Sequence, residues 1–271
     1  MKKYRFLIFR RIIQIGLLFL YILGTYQSFW ILKGNLSSSL IFNTIPLSDP
    51  FAILQLVFSG AMVGANALIG ALIVLLFYGL FARRAFCAYV CPLNLVTDFA
   101  NFLRRILKID GLNSSLSLKR SLRYYILALS LILSSIFGLA AFEAISPIGI
   151  LHRGLIFGFG LGIFGVLVVF LLDLFVVKNG FCGHLCPLGA FYSLIGRFAL
   201  LKVQYDLEAC TNCLECKKIC PEKQVLSLVG KRSGIVNAGE CIVCGRCIEV
   251  CEDNALKFNL INFAKRKNNG L

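Results

Sequence analysis

"CTNCLECKKICP" (Cys210–Pro221) and "CIVCGRCIEVC" (Cys241–Cys251) decide how the C-terminal part of this chain folds. Each run places four cysteines at x2, x2 and x3 spacing. Three cysteines in one tight loop reach three irons of a cubane. The loop amides donate to its sulfides, and the fourth ligand comes from the other run. Cys210, Cys213, Cys216 and Cys251 are therefore expected to hold one [4Fe–4S] cluster. Cys241, Cys244, Cys247 and Cys220 are expected to hold a second. Paired Cys-x2-Cys also binds zinc, but zinc does not call for the third x2 step followed by Cys-x3-Cys-Pro. The second run ends in Cys251-Glu252, where a turn-shaping proline is usual, so altered local geometry with the cluster retained is expected.

Outward from these runs, Ser227–Glu240 reads as a strand–turn–strand link. Residues 201–262 then form a small α+β ferredoxin-like module with two clusters, followed by a basic tail over 263–271. So small a fold depends on its metal for stability.

The rest of the chain is of a different kind. With 271 residues, 58% of them hydrophobic, and a formal net charge of +15, it joins high apolar content to high basic charge. A soluble nucleic-acid binder interleaves its basic residues with polar surface. Here they fall between long apolar runs, so an integral membrane protein is expected, with no nucleic-acid partner. Residues 1–200 form its transmembrane domain. Spans are placed at about 12–32, 56–82, 124–142 and 155–177. Of the 28 Lys and Arg, five lie in residues 1–11, eight in 83–123 and thirteen in 178–271. The positive-inside rule puts both termini and the 83–123 loop in the cytoplasm. The 33–55 and 143–154 loops face outward. The first span is too long for a typical signal peptide and lacks a small-residue cleavage site near Ser28. Arg10-Arg11 anchors it on the inside, where the basic surface suits anionic lipid. All twelve cysteines then lie at or beyond the cytoplasmic face, where structural disulfides are not expected.

The membrane part is a duplication. "FCAYVCPL" (Phe86–Leu93) and "FCGHLCPL" (Phe181–Leu188) repeat one phrase, and "PFAILQ" (Pro50–Gln55) is echoed by "PIGILH" (Pro147–His152). Both halves start on the same side, giving a four-helix transmembrane domain built as a tandem parallel repeat. Each cysteine phrase opens an amphipathic segment. In Asn94–Lys108, Leu95, Phe99, Phe102 and Ile106 share one helical face, with Asp98, Asn101, Arg105 and Lys108 on the other. Proline after the second cysteine suits a helix first turn and puts Cys91 and Cys186 near helix N-termini, which favours thiolate. Cys87, Cys91, Cys182 and Cys186 have three readings: a further metal site, redox-active thiols, or small buried residues that pack where helices meet.

His152 and His184 are the only histidines. Neither lies in mid-membrane, so no haem is expected. Glu143, beside Gln55 and His152 at the outer face, forms a candidate catalytic site that accepts protons from a quinol headgroup, or else ordinary helix-end polarity. Asp173, near the inner end of the fourth span, is expected either to be functional or to pair with Arg83 or Arg84.

Four spans, two cytoplasmic Cys-x3-Cys-Pro phrases and two ferredoxin runs together resemble the NapH family, across essentially the whole chain. "NLSSSLIFNTIPLSDPFAILQ" (Asn35–Gln55) and "FCAYVCPLNLVTDFANFLRR" (Phe86–Arg105) carry the resemblance most closely. NapH is the membrane quinol dehydrogenase component of the periplasmic nitrate reductase system. The resemblance implies a bacterial inner-membrane electron-transport protein that oxidises menaquinol or ubiquinol. Electrons would pass to a NapG-type ferredoxin, a cytochrome and the nitrate-reducing subunit. It carries cluster ligation to the eight tail cysteines and the family's paired motif to Cys87, Cys91, Cys182 and Cys186. The route outward stays open, because a hydrocarbon core of ~30 Å exceeds one useful electron hop. Two other classes use the same cysteines: a metal-handling or maturation accessory protein that reduces copper, and a membrane anchor for other redox subunits.

Overall fold

The computed structural model describes residues 4–26, 31–108, 119–158 and 160–260. The expected basic tail at 263–271 lies outside them. The first helix, α1 (Arg5–Tyr26), leads into a three-stranded antiparallel meander of β1 (Leu32–Gly34), β2 (Ser38–Ile41) and β3 (Ile45–Ser48). Next come α2 (Pro50–Phe58), α3 (Ala65–Phe77), α4 (Ala85–Tyr89), α5 (Leu93–Ile106), α6 (Leu122–Phe137), α7 (Ala141–Ile145), α8 (Pro147–Phe157), α9 (Ile163–Leu171) and α10 (Pro187–Ile195). The C-terminal part adds β4 (Leu201–Tyr205), α11 (Glu215–Ile219), β5 (Gly234–Ile235), α12 (Arg246–Glu249) and β6 (Leu256–Leu260). The fold is mostly helical, with an α+β ferredoxin-like part.

Two compact units can be described. A helical unit draws on Gln14–Leu75 and Cys91–Phe191; a cysteine-loop unit draws on Leu76–Val90 with the described residues up to Ile13 and from Tyr192 on.

In the helical unit the element order recurs. Asp49 caps α2 by accepting the N–H of Phe51 at 3.3 Å, and Pro50 opens the helix. Ser146 caps α8 by accepting the N–H of Gly149 at 3.4 Å, and Pro147 opens it. Proline lacks the N–H that a first turn leaves unsatisfied anyway. This is why the Pro-led phrase appears twice. Each short helix then breaks: α2 at Gly60 (φ 76°), α8 at Gly158 (φ 98°). Glycine takes these left-handed values without a Cβ clash. After each break a second apolar helix ends in a π-helical turn, at Tyr78–Ala82 and at Leu172–Val176. The cysteine phrase follows.

The continuous spans expected at 56–82 and 155–177 are thus interrupted near their N-terminal ends. The first expected span, 12–32, begins earlier as α1, and Leu32 belongs to β1. The third ends at Phe137, where Gly138 adopts φ 67°. Among the described residues, Arg5–Tyr26 and Ala65–Ala82 are the two helices long and apolar enough to cross a membrane, while Leu122–Phe137 and Ile163–Val176 are shorter. At 1.5 Å per residue these two reach about 24 and about 21 Å.

The helices turn their apolar sides outward. Ile12, Ile15 and Phe19 of α1, Leu72 and Phe77 of α3, Leu129, Ile132 and Ile136 of α6, and Phe164 and Val168 of α9 are all exposed. Arg10, Gln14, Arg123, Ser130 and Ser134 on the same helices are buried. The most pronounced case is α5, where Asn94, Thr97, Asn101 and Arg104 are buried while Phe99, Phe102 and Ile106 are exposed. Asn101 donates to Asn179 at 2.7 Å, and Arg104 donates to the carbonyls of Asp173 and Leu174 at 3.2 and 3.3 Å. In water this arrangement loses the hydrophobic driving force. Against lipid it loses nothing, and small or polar residues inside let helices approach and bond.

In the cysteine-loop unit, β4 is the middle strand of an antiparallel sheet ordered β5-β4-β6. Val203, Tyr205, Val225, Leu226, Val229, Val236, Ala255 and Leu256 form its core, together with Cys216. The strand–turn–strand expected over Ser227–Glu240 is replaced by a turn and the two-residue β5. The three buried residues Val225, Leu226 and Val229 are spaced for a tight helical turn and plug the sheet instead.

Candidate functional site

The two cysteine runs fold alike. In the first loop Asn212 and Leu214 adopt φ 58° and 61°; in the second, Val243 and Gly245 adopt φ 53° and 74°. These residues occupy matching positions, immediately before and after the second cysteine. Left-handed backbone costs little at glycine and roughly 1–3 kcal/mol at a bulky residue. Leu214 and Val243 therefore hold strain that a bound cluster's geometry accounts for. The curled loop turns amides onto sulfur: Asn212 N–H points to Cys210 Sγ at 3.3 Å. The N–H of Val243 likewise bonds Cys241. Helices α11 and α12 start next, carrying Cys216 and Cys247.

The cysteines are gathered as the spacing requires. Cys216 is buried and has Cys251, Cys210 and Cys213 as its electrostatic neighbours. Cys247 has Cys244, Cys241 and Cys220 around it, then Cys216. A cavity is lined by Cys220, Cys241, Cys244 and Cys247, closed by Val203, Leu226 and Ile242. Burial pushes the thiols of Cys216 and Cys241 up and that of Cys247 well up, the neighbouring sulfurs adding to it. Four thiols facing one apolar-walled cavity, Cys244 buried and the others half-buried, are poor company for each other as free acids and suitable as ligands of a tetrahedral cluster. Among the described residues no three His, Cys, Asp or Glu side chains converge on a single-ion site. A cubane takes its thiolates on four separate irons, so they stand further apart. The donor chemistry fits two [4Fe–4S] clusters.

Two arginines reach this site. Arg83, fully buried, donates to the carbonyls of Val236 at 3.0 Å, Asn237 at 3.0 Å and Ala238 at 3.2 Å. Arg84 donates to Glu222 Oε1 at 3.0 Å and to the Glu240 carbonyl at 3.2 Å, with both side chains of the ion pair nearly inaccessible to water. Breaking such a pair on one side costs about 3–5 kcal/mol. Sequence reasoning treats Arg83 and Arg84 as charges that orient the chain and as possible partners of Asp173, and misses their place at this site. The signal available was their place directly before a cysteine phrase, with Glu222 directly after Cys220-Pro221. Asp173, which the sequence offers as functional or as a partner of these arginines, lies in the helical unit. Asp173 accepts the N–H of Phe181 at 3.1 Å, and its cationic neighbour is Arg104.

The four remaining cysteines divide. Cys87, half-buried, packs with Ala88 and Tyr89 against Ile242 and Cys244 in the cysteine-loop unit. The Tyr89 hydroxyl donates to the Val243 carbonyl at 3.2 Å. Cys91, Cys182 and Cys186 belong to the helical unit, with Cys91 and Cys186 buried. Cys186 immediately precedes α10 and its sulfur accepts the Gly189 N–H at 3.4 Å.

The three residues expected at the outer face also lie in the helical unit. Gln55 is buried at the junction of α2 and α7, where its Oε1 accepts the Phe142 N–H at 2.8 Å. Glu143, the next residue, accepts from the Ser37 hydroxyl, and its carboxylate and the Arg153 guanidinium both stand over Gly149. His152 points elsewhere, edge-on to Tyr21 with ring centroids 4.7 Å apart. It is 1% exposed, and among the described residues neither ring nitrogen has a hydrogen-bond partner.

Comparison with known proteins agrees with this geometry. Residues 63–110 and 159–204 both match a family model described as a 4Fe-4S binding domain. Residues 202–252 match one described as a 4Fe-4S dicluster domain. The ferredoxin-type protein NapH of Haemophilus influenzae is 44% identical over 94% of this chain and 90% of its own length. NapH of Escherichia coli is 40% identical over 93% of this chain and 88% of its own. The methylamine utilization ferredoxin-type protein MauN of Paracoccus denitrificans is 42% identical over 89% of this chain and 85% of its own. No solved structure matches. With two curled cysteine loops of ferredoxin design and likeness along nearly its whole length, the chain belongs to the NapH family of ferredoxin-type iron–sulfur proteins.

Proposed function

We propose that this protein is a multi-pass inner-membrane component of a quinol dehydrogenase, with both termini in the cytoplasm. It takes electrons from menaquinol or ubiquinol and passes them through a NapG-type ferredoxin and a cytochrome to periplasmic nitrate reductase. One observation carries the reading: two curled ferredoxin-type cysteine loops and helices polar within and apolar without occur in one chain. An electron carrier so placed meets its reductant in the bilayer, and quinol is the two-electron donor class found there.

The parts are assigned as follows. The apolar exteriors of α1, α3, α6 and α9 support four spans arranged as a tandem parallel repeat, with the amphipathic α5 at the inner surface. Cys210, Cys213, Cys216 and Cys251 hold one [4Fe–4S] cluster; Cys241, Cys244, Cys247 and Cys220 hold the other. When bound, each cluster exchanges one electron. Oxidation of one quinol releases two electrons and two protons, so two such centres take up the pair. Glu143, with Gln55 fixing α7 beneath it, receives a proton at the outer face. His152, neutral and unpartnered, offers a ring nitrogen to a quinol hydroxyl. Cys87, packed against Cys244, places the first cysteine phrase next to the second cluster.

The comparable identity to MauN favours a second reading, in which the same electron transfer serves methylamine utilization. Anaerobic EPR on the purified protein tests the shared step, with menaquinol as sole reductant. Appearance of a reduced-cluster signal that a quinone-site inhibitor abolishes supports it. Clusters that dithionite reduces but menaquinol does not, even with the partner ferredoxin added, count against it. Nitrate-dependent and methylamine-dependent growth of a deletion strain then separates the two pathways.

A further inference from the structure

The two cysteine quartets are alike in loop geometry and unlike in the charges beside them. Arg84 bonds Glu222 at 3.0 Å and the Glu240 carbonyl at 3.2 Å. Glu222 lies two residues after Cys220, whose thiol contacts the Glu222 carbonyl at 3.3 Å. Glu240 directly precedes Cys241. One buried ion pair thus ties together the two segments that supply this quartet. Arg83 adds a second buried guanidinium, fixed on the carbonyls of Val236, Asn237 and Ala238 along the same approach to Cys241. Both charges act on Cys241. In the other quartet the thiols of Cys251, Cys210 and Cys213 act on Cys216, and the cation facing Cys213 is Lys218, exposed and paired with Glu215.

A cluster gains one negative charge on reduction, so a fixed cation nearby stabilises its reduced state. Net charge and burial are among the terms that set such potentials, and a buried charge is screened less than an exposed one. Here two buried guanidinium groups stand beside one quartet, whereas the cation beside the other, Lys218, is exposed. We infer that Arg83 and Arg84 raise the reduction potential of the cluster held by Cys220, Cys241, Cys244 and Cys247 above that of its neighbour, making it the centre on which an arriving electron settles. Its position suits this. Cys87, Ala88 and Tyr89 pack on Ile242 and Cys244, so the cysteine phrase from the membrane part abuts the electron-holding cluster. Cys213 of the other quartet is exposed, leaving that cluster nearer to an outside acceptor.

The inference rests on the two-cluster reading, and one experiment separates their failures. The full chain, in detergent with both clusters loaded, is titrated reductively and followed by EPR. Fewer than two EPR-active clusters in the parent overturns the two-cluster reading, and the inference with it. With two present, Arg84→Gln lowers one potential by an amount equal to about a tenfold fall in the reduced-to-oxidised ratio at fixed poise, or about 59 mV for one electron. Glu222→Gln raises the same potential, and Arg84→Lys stays close to the parent. A merely structural pair gives shifts of the same sign in both Gln variants, which overturns the proposal. If Arg84→Gln loses iron, Arg83→Gln replaces it; it too lowers one potential. Cys213→Ser perturbs the other cluster's signal and so identifies it. Shifts that fall on that signal, fall equally on both, or are absent in Arg83→Gln overturn the inference.

Discussion

Glu249 accepts the backbone N–H of Leu7 at 2.9 Å and that of Phe6 with the same oxygen. A carboxylate from the second cysteine loop therefore caps the N-terminus of α1, where unsatisfied amides and the helix dipole favour negative charge. Glu249→Gln keeps the acceptor and loses the charge. It is expected to destabilise the cysteine-loop unit by about 1 kcal/mol, and Glu249→Ala by more. Loss of cluster absorbance on chemical denaturation measures this. An unchanged midpoint in Glu249→Ala counts against the cap.

Ile132 lies on the exposed face of α6, opposite the buried Ser130 and Ser134. If α6 crosses the bilayer, a lysine there costs about 3 kcal/mol of insertion free energy. Ile132→Lys should lower the carbonate-resistant membrane fraction while Ile132→Leu leaves it unchanged. Equal behaviour of the two variants would argue that α6 does not face lipid.

The breaks after α2 and α8 predict opposite effects for one substitution at two glycines. Gly158 sits at φ 98°, whereas Gly165 is inside α9, and a Cβ at either meets nothing within 4 Å. Gly158→Ala pays only for the backbone, about 1–2 kcal/mol of destabilisation. Gly165→Ala gains helix propensity, about 0.8–1 kcal/mol. Thermal unfolding in detergent should move down for the first and up for the second. Two shifts in the same direction would contradict the break.

His152 makes stability depend on pH. Burial, then the charge of Arg153, pushes its pKa down to about 4, against an ordinary value of about 6.5 in the unfolded chain. Between those values the unfolded state binds a proton that the folded state does not. Stability therefore falls as pH drops from about 6.5 to about 4, by at most about 3 kcal/mol, and levels off below. His152→Phe should remove that slope in detergent-based unfolding measured across the interval. A slope that persists assigns the effect to another group.

The cysteine loops were legible because their chemistry is a matter of spacing. Cys210 to Cys216 must curl to reach one cluster whatever surrounds them. The Pro-led echoes were legible for a similar local reason, since capping is written within four residues. The breaks at Gly60 and Gly158 were not, because a hydropathy window averages a glycine into its apolar neighbours. The meander β1–β3 was missed because its three- and four-residue strands are too short for alternation to show. Arg83 and Arg84 were read as charges that orient the chain and as possible partners of Asp173. Their partners Glu222 and Val236–Ala238 lie far away in sequence, and only the tertiary fold brings them into hydrogen-bond range. On α5 the apolar residues Phe99, Phe102 and Ile106 are exposed together as periodicity groups them, but of the expected polar face only Asn101 is buried; Arg105 and Lys108 are exposed, and the buried side runs through Asn94, Thr97, Asn101 and Arg104.

The triple grip of Arg83 on Val236, Asn237 and Ala238 has a consequence for how the protein moves. A carrier on a flexible leash trades distance for time, swinging between donor and acceptor, and its turnover slows as the leash is shortened or stiffened. Here the segment leading to Cys241 is fastened to the residues just before the first cysteine phrase by three hydrogen bonds from one buried side chain. Within the cysteine-loop unit, the approach to Cys241 and the residues before the first cysteine phrase therefore move as one piece, with no leash between them.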